Sequence, residues 1–90
     1  MRWRVELSDD AARQLSKFPQ NVQDRLTRAI DELEARDDSQ WSNIKALQGL
    51  KWKGRFRKRV GRHRIVFRKF ADRGVVEVSA ILIRSGDTYS

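Results

Sequence analysis

Ninety residues make one small domain, residues 1–90, whose limited burial leaves no room for a large enclosed substrate cavity. With 39% hydrophobic and 36% charged residues and a pI near 10.8, the chain is globular and strongly cationic rather than disordered. Having no cysteine, it is excluded from disulfide, thiolate and cysteine-zinc chemistry, and no apolar run reaches signal-peptide or membrane-span length. A cytoplasmic protein without membrane attachment is expected.

Trp3, Val5 and Leu7 alternate with Arg2, Arg4 and Glu6, the period of a half-buried strand. Ser8, followed by Asp9 and Asp10, predicts a capped helix that turns Ala12, Leu15 and Phe18 inward and stops near Pro19, whose ring disfavours helical geometry in the residue before it. A second helix is predicted from Gln20 to Arg36. Val22, Leu26, Ala29, Ile30 and Leu33 recur at spacings of three and four, leaving Asp24, Arg25, Arg28, Asp31 and Glu32 on a solvated face. Periodicity then lapses from Asp37 to Asn43, and Ile44, Leu47 and Leu50 are read as a partly helical connection. Arg55 to Val60 alternates, Gly61 and Arg62 make a turn, His63 to Phe70 alternates again, and Asp72, Arg73 and Gly74 turn into the β-branched run Val75 to Ile83. The expected fold is α+β, in the order β-α-α-β-β-β: a small, largely antiparallel sheet with a helical hairpin packed on one face.

The net charge of +8 is local. Ten Lys or Arg and no acidic residue occur between Lys51 and Lys69, whereas the segments on either side are each slightly acidic. Phe56, Val60, Ile65, Val66 and Phe67 are threaded through these charges, which marks folded strand rather than a basic tail. Strand parity sorts the cations. If Phe56, Val60, Ile65 and Phe67 face the helices, then Arg55, Arg57, Arg59, Arg64 and Arg68 share the opposite face. Lys58 falls on the core side, where an ammonium is costly unless its stem reaches the edge, and it is given no functional role. A field of this kind attracts a polyanion, most often nucleic acid.

The sequence has no Ser-His-Asp set, no phosphate-cradling glycine loop and, with His63 its one histidine, no convincing metal constellation; no metal or cofactor is expected. His63 is read as a packing or hydrogen-bonding residue, and Trp3, Trp41 and Trp52 as core or partner contacts. Arginine does not act as a base at neutral pH, but a cluster binds phosphate bidentately and stabilises charge developing on it. RNA carries its own nucleophile in the adjacent 2′-hydroxyl, so such a cluster suffices for cleavage if something else holds that oxygen in line.

The string FRKRVGRHRIVF, preceded by IKALQGL and followed by IRSGDTYS, resembles the RelE/ParE superfamily of toxins from bacterial type II toxin-antitoxin modules, and WRVELSDDAARQLSKF looks like their opening strand and helix. The resemblance spans essentially the whole chain. It implies the same fold order, a cognate antitoxin with which the toxin forms a hetero-oligomer, and one of two activities: cleavage of messenger RNA in the ribosomal A site for the RelE branch, or poisoning of DNA gyrase for the ParE branch. Of these the reading adopted is the ribosome-dependent endoribonuclease, with a gyrase inhibitor and an inactive nucleic-acid-binding module as rivals. By the same resemblance the catalytic set is Arg57, Arg59, Arg64, Arg84 and Tyr89, with Lys51, Lys53, Arg55, Arg62 and Arg68 as further RNA-binding residues. Two positions depart from the family pattern: His63 stands where a tyrosine is common, and the first basic pair is Arg rather than Lys, which holds phosphate well but donates a proton poorly. Strict alternation from Glu77 would also turn Arg84 away from the cationic face unless the strand ends or bulges first.

Overall fold

The computed structural model describes residues 2–50 and 53–83. Strand β1 (Arg4–Leu7) leads into helices α1 (Asp9–Ser16) and α2 (Gln20–Ala35), a single 3-10 turn at Asp38–Gln40, and strands β2 (Ile44–Ala46), β3 (Phe56–Val60), β4 (His63–Phe70) and β5 (Val75–Ile83). The sheet order is β1-β5-β4-β3-β2. β1 runs parallel to β5, and the other neighbours are antiparallel. The α+β arrangement is the expected one, with one added strand. Ile44–Ala46 pairs with β3, Ile44 beside Lys58 and Ala46 beside Phe56, in place of the helical connection. A stretch this short carries too few apolar residues for periodicity to arbitrate, whereas the open edge of β3 offers it a row of unpaired amides and carbonyls.

Ser8 caps α1 as expected: its backbone is extended and its Oγ accepts from the Ala11 amide at 3.1 Å. Asp9 and Asp10 in the first turn complement the helix dipole. The inward residue differs by one position. Ala11 is fully buried and Ala12 exposed, because two adjacent alanines give a short helix no direction of their own and the rotation is set by packing. On α2 the inward stripe is as read, with Leu26, Ala29, Ile30 and Leu33 buried. These side chains close over Ile65, Phe67, Val76, Val78 and Ile81 from the sheet. Around Phe67 the rings of Phe56 and Trp41 lie at 5.7 and 5.9 Å, and Trp3 lies 6.0 Å beyond Trp41. Trp3 and Trp41 are thus core residues, as expected, while Trp52 lies outside the described residues.

A bulge interrupts β5. Val66 pairs with Ala80 and Phe67 with Val78, so Ser79 has no partner and the parity of β5 reverses at that point. The polar groups freed there are taken up from α1 and its cap. Ser8 Oγ donates to the Ser79 carbonyl at 3.1 Å, Gln14 Oε1 accepts from the Ile81 amide at 2.7 Å, and Ser79 Oγ donates to the Val66 carbonyl at 3.3 Å. In consequence Glu77, Ala80 and Leu82 lie on one face and Val78 and Ile81 on the other. Among the described residues, no helix is long and apolar enough to cross a membrane.

Candidate functional site

The register places Arg57 opposite Val66 and Arg59 opposite Arg64, on the face of the sheet that the helices leave uncovered. Leu82 lies beside Arg64 and Ala80 beside Val66. Three of the expected catalytic arginines are therefore brought together, and Arg55 and Arg68 continue the same outward series. The surface is not the fully open one that parity alone suggests. Arg64 is 6% exposed and Val66 2%, Arg55, Arg57 and Arg68 are half-buried, and Arg59 is exposed. Arg64 sits on the middle strand with a neighbouring strand on each side, which encloses part of its long stem. Leu47, Arg57, Arg64, Val66 and Leu82 line a shallow hollow whose floor is apolar and whose charges come from the two guanidiniums.

A pair of consecutive carbonyls holds the cationic strand in place. Asn43, in the left-handed region at φ 62°, aims its carbonyl at β3, where it accepts from the Arg57 Nη1 at 3.1 Å and from the Arg59 amide at 3.1 Å. Asparagine tolerates that backbone better than most residues. The preceding carbonyl, of Ser42, accepts from the Lys58 Nζ at 3.0 Å on the other side of the strand. Lys58 is buried on the core side, as parity requires, and its ammonium also reaches Glu32 Oε1 on α2 at 3.4 Å. Glu32, expected on the solvated helix face, is instead drawn toward Lys58. It is half-buried and matches a cation that could not otherwise be enclosed. Asn43, Ser42 and Glu32 escaped the sequence reading, although the misplaced Lys58 was a signal that a carboxylate had to meet it.

Of the remaining expected residues, Arg62 is exposed in the β3–β4 turn and Lys53 is exposed in the loop before β3, both beyond the arginine cluster. Lys51, Arg84 and Tyr89 lie outside the described residues. His63 faces the helices and meets Phe18 edge-on at 5.0 Å, a packing role on the opposite side of the sheet from Arg64. Lys69, also on the helix side, sits 5.1 to 5.8 Å from the ring centroids of Phe56, Trp41 and Trp3 and 3.7 Å from Asp38. What the uncovered face can do follows from its donors: it can bind a phosphate in several directions at once, but guanidinium groups supply no base.

The family model described as the ParE toxin of the type II toxin-antitoxin system parDE matches residues 5–88. The chain belongs to this toxin family. Among solved structures, the RelBE2 toxin-antitoxin complex of Mycobacterium tuberculosis aligns at 20% identity over 93% of this chain and 100% of that one, with a TM-score of 0.78. The archaeal RelE-RelB complex of Pyrococcus horikoshii aligns at 20% identity over 94% and 98%, TM-score 0.75. The isolated Escherichia coli RelE toxin aligns at 14% identity over 96% and 88%, TM-score 0.71. At these identities the likeness is one of fold, a RelE-like one. No curated protein sequence matches the chain.

Proposed function

We propose that the protein is a ribosome-dependent messenger-RNA endonuclease of RelE type, held in check by a cognate antitoxin. The observation that carries this reading is the direct pairing of Arg59 with Arg64 across two strands, with Arg57 alongside. Like charges placed opposite each other in a sheet are destabilising, so such a pair is suited to a site that receives an anion. Burial of Arg64 adds to this, because a charge in less polar surroundings acts more strongly on the charge that develops beside it. In this reading Arg57 and Arg59 hold the scissile phosphate and its neighbour, while Arg64, together with Arg84, stabilises the added negative charge and the leaving oxygen. The 2′-oxygen forms a bond to phosphorus as the bond to the 5′-oxygen breaks; the 2′-proton is lost to solvent, and the departing oxygen gains one. Tyr89 would stack on a base. Because no arginine removes the 2′-proton, alignment by the ribosome supplies what the toxin lacks. The RelE–RelB and RelBE2 complexes among the structural relatives support an antitoxin partner.

The family match favours a second reading, inhibition of DNA gyrase without nuclease chemistry, since the matching family is named for ParE. One pair of assays separates the two. The RelE reading expects purified protein to cut messenger RNA on programmed ribosomes, spare free RNA and leave gyrase supercoiling unchanged, and expects Arg64→Ala to lower cutting by about 100-fold. Undiminished cutting by that variant removes Arg64 from the mechanism, and loss of supercoiling with intact messenger RNA replaces the reading with the gyrase one.

A further inference from the structure

The arginine cluster occupies one end of the uncovered face, and the opposite end has a feature of a different kind. Phe70 closes β4 on the same face as Arg64, six residues further along, a separation of roughly 20 Å for an extended strand. Two guanidiniums lie against its ring: Arg73 Cζ is 4.7 Å and Arg68 Cζ 5.2 Å from the centroid. Neither has a carboxylate partner among the described residues. This holds even though Glu77 is the cross-strand neighbour of Arg68 and Asp72 precedes Arg73. Phe70 and Arg68 are half-buried and Arg73 is exposed, so the cluster is anchored from below and open from above.

We propose that Phe70, Arg68 and Arg73 form a second subsite for single-stranded RNA, taking up the base and phosphate of a nucleotide several positions along the strand from the scissile one. The proposal rests on the reading of this face as an RNA surface and adds to it a place, a ligand element and three residues. A ring beside guanidiniums offers stacking to any base, and guanidiniums held against a ring keep donors free for a phosphate. An acidic peptide would use the cations but has no need of the ring, and a duplex keeps its bases stacked inside, so the aromatic element favours a single strand. The path between the two ends is also defined by charge. Outward residues recur about every 6.6 Å along β3 and β4, where they are Arg57 and Arg59 on one strand and Arg64, Val66 and Arg68 on the other. On the β5 and β1 side the same face instead presents Glu77 and Glu6, and Arg4 is already paired with Glu6 at 3.3 Å. The carboxylates bound the track, and the strand should run along β4 rather than across the sheet.

The test is binding rather than cleavage, using the full chain and a labelled twelve-nucleotide RNA without secondary structure, followed by anisotropy at several salt concentrations. Phe70→Leu, which keeps an apolar side chain but no π face, should weaken binding about tenfold. Arg73→Gln, at an exposed position, should weaken it by a smaller factor and lower the salt slope by about 0.7. Phe70→Leu should leave binding of an RNA hairpin duplex unchanged, since its bases stay stacked inside. Wild-type affinity in both variants overturns the proposal, as does failure of the wild-type chain to bind the single strand, or an aspartate-rich peptide that displaces the RNA and loses affinity equally with it on Arg73→Gln but is indifferent to Phe70→Leu. If the wild-type protein cuts messenger RNA on ribosomes while both variants bind as it does, the subsite is refuted and the nuclease reading stands.

Discussion

The two faces of the β3–β4 hairpin treat positive charge in opposite ways. Toward the helices, Lys58 meets Glu32 at 3.4 Å and the Ser42 carbonyl at 3.0 Å, and Lys69 meets Asp38 at 3.7 Å among three aromatic rings. Away from the helices, β3 and β4 carry Arg59 and Arg64 opposite one another, and Arg59, Arg68 and Arg73 have no carboxylate partner among the described residues. A cation enclosed by protein has to be matched within the fold, because the cost of removing it from water is otherwise unrecovered. One facing solvent can be left unmatched, and an array of them stores attraction for an anionic ligand. The contrast separates charge matched within the fold from charge left facing solvent, on a hairpin where composition alone makes them look alike.

Substitutions on the two faces should therefore behave differently. The largest effect on stability is expected from Phe67→Ala on the helix side, since the ring is fully buried against Phe56 and Trp41; a loss of about 3–5 kcal/mol in urea unfolding would leave much of the chain unfolded. A loss below about 1 kcal/mol would mean that the core lies elsewhere.

Next comes the Lys58–Glu32 pair, where the two partners should be unequal. Glu32→Ala strands a buried ammonium and should cost about 2–3 kcal/mol, whereas Lys58→Met leaves only a partly wet carboxylate and should be near neutral. Equal losses from the two changes would contradict the assignment of Lys58 as the enclosed member.

Asn43 gives a smaller and more specific effect. Asn43→Val should cost about 1–2 kcal/mol through its left-handed backbone, and Asn43→Gly close to nothing. Because the Asn43 carbonyl also holds the Arg57 side chain, the valine variant should weaken RNA binding as well, and the glycine variant should not. The smallest effect, and one of opposite sign, belongs to the uncovered face. Arg59→Gln removes a charge opposite Arg64 and should raise thermal stability slightly, by about 0.2–1 kcal/mol, while reducing affinity for RNA. Loss of stability there would show that Arg59 is a structural residue after all.

Several of these features were legible in the residues themselves. Ser8 with two aspartates announced the α1 cap, the spacing of Leu26, Ala29, Ile30 and Leu33 gave α2 and its inward stripe, and the limits of β4 and β5 follow from alternation, a β-branched run and glycine turns. So did the shared face of Arg57, Arg59 and Arg64 and the anomalous position of Lys58, because a period of two is imposed by backbone geometry and needs no knowledge of the neighbours. What a residue touches at long range carries no such period. The choice of Ala11 over Ala12, the pairing of Ile44–Ala46 with β3, the bulge at Ser79 held by Ser8 and Gln14 and the carboxylate that meets Lys58 were all decided by how α1, α2 and the strands come together, and the enclosure of Arg64 by its place on the middle strand. The sequence alone determined which side chains share a face; tertiary packing decided which charges on it are matched and which remain available to a ligand, because burial and ion pairing depend on the whole surface closing at once.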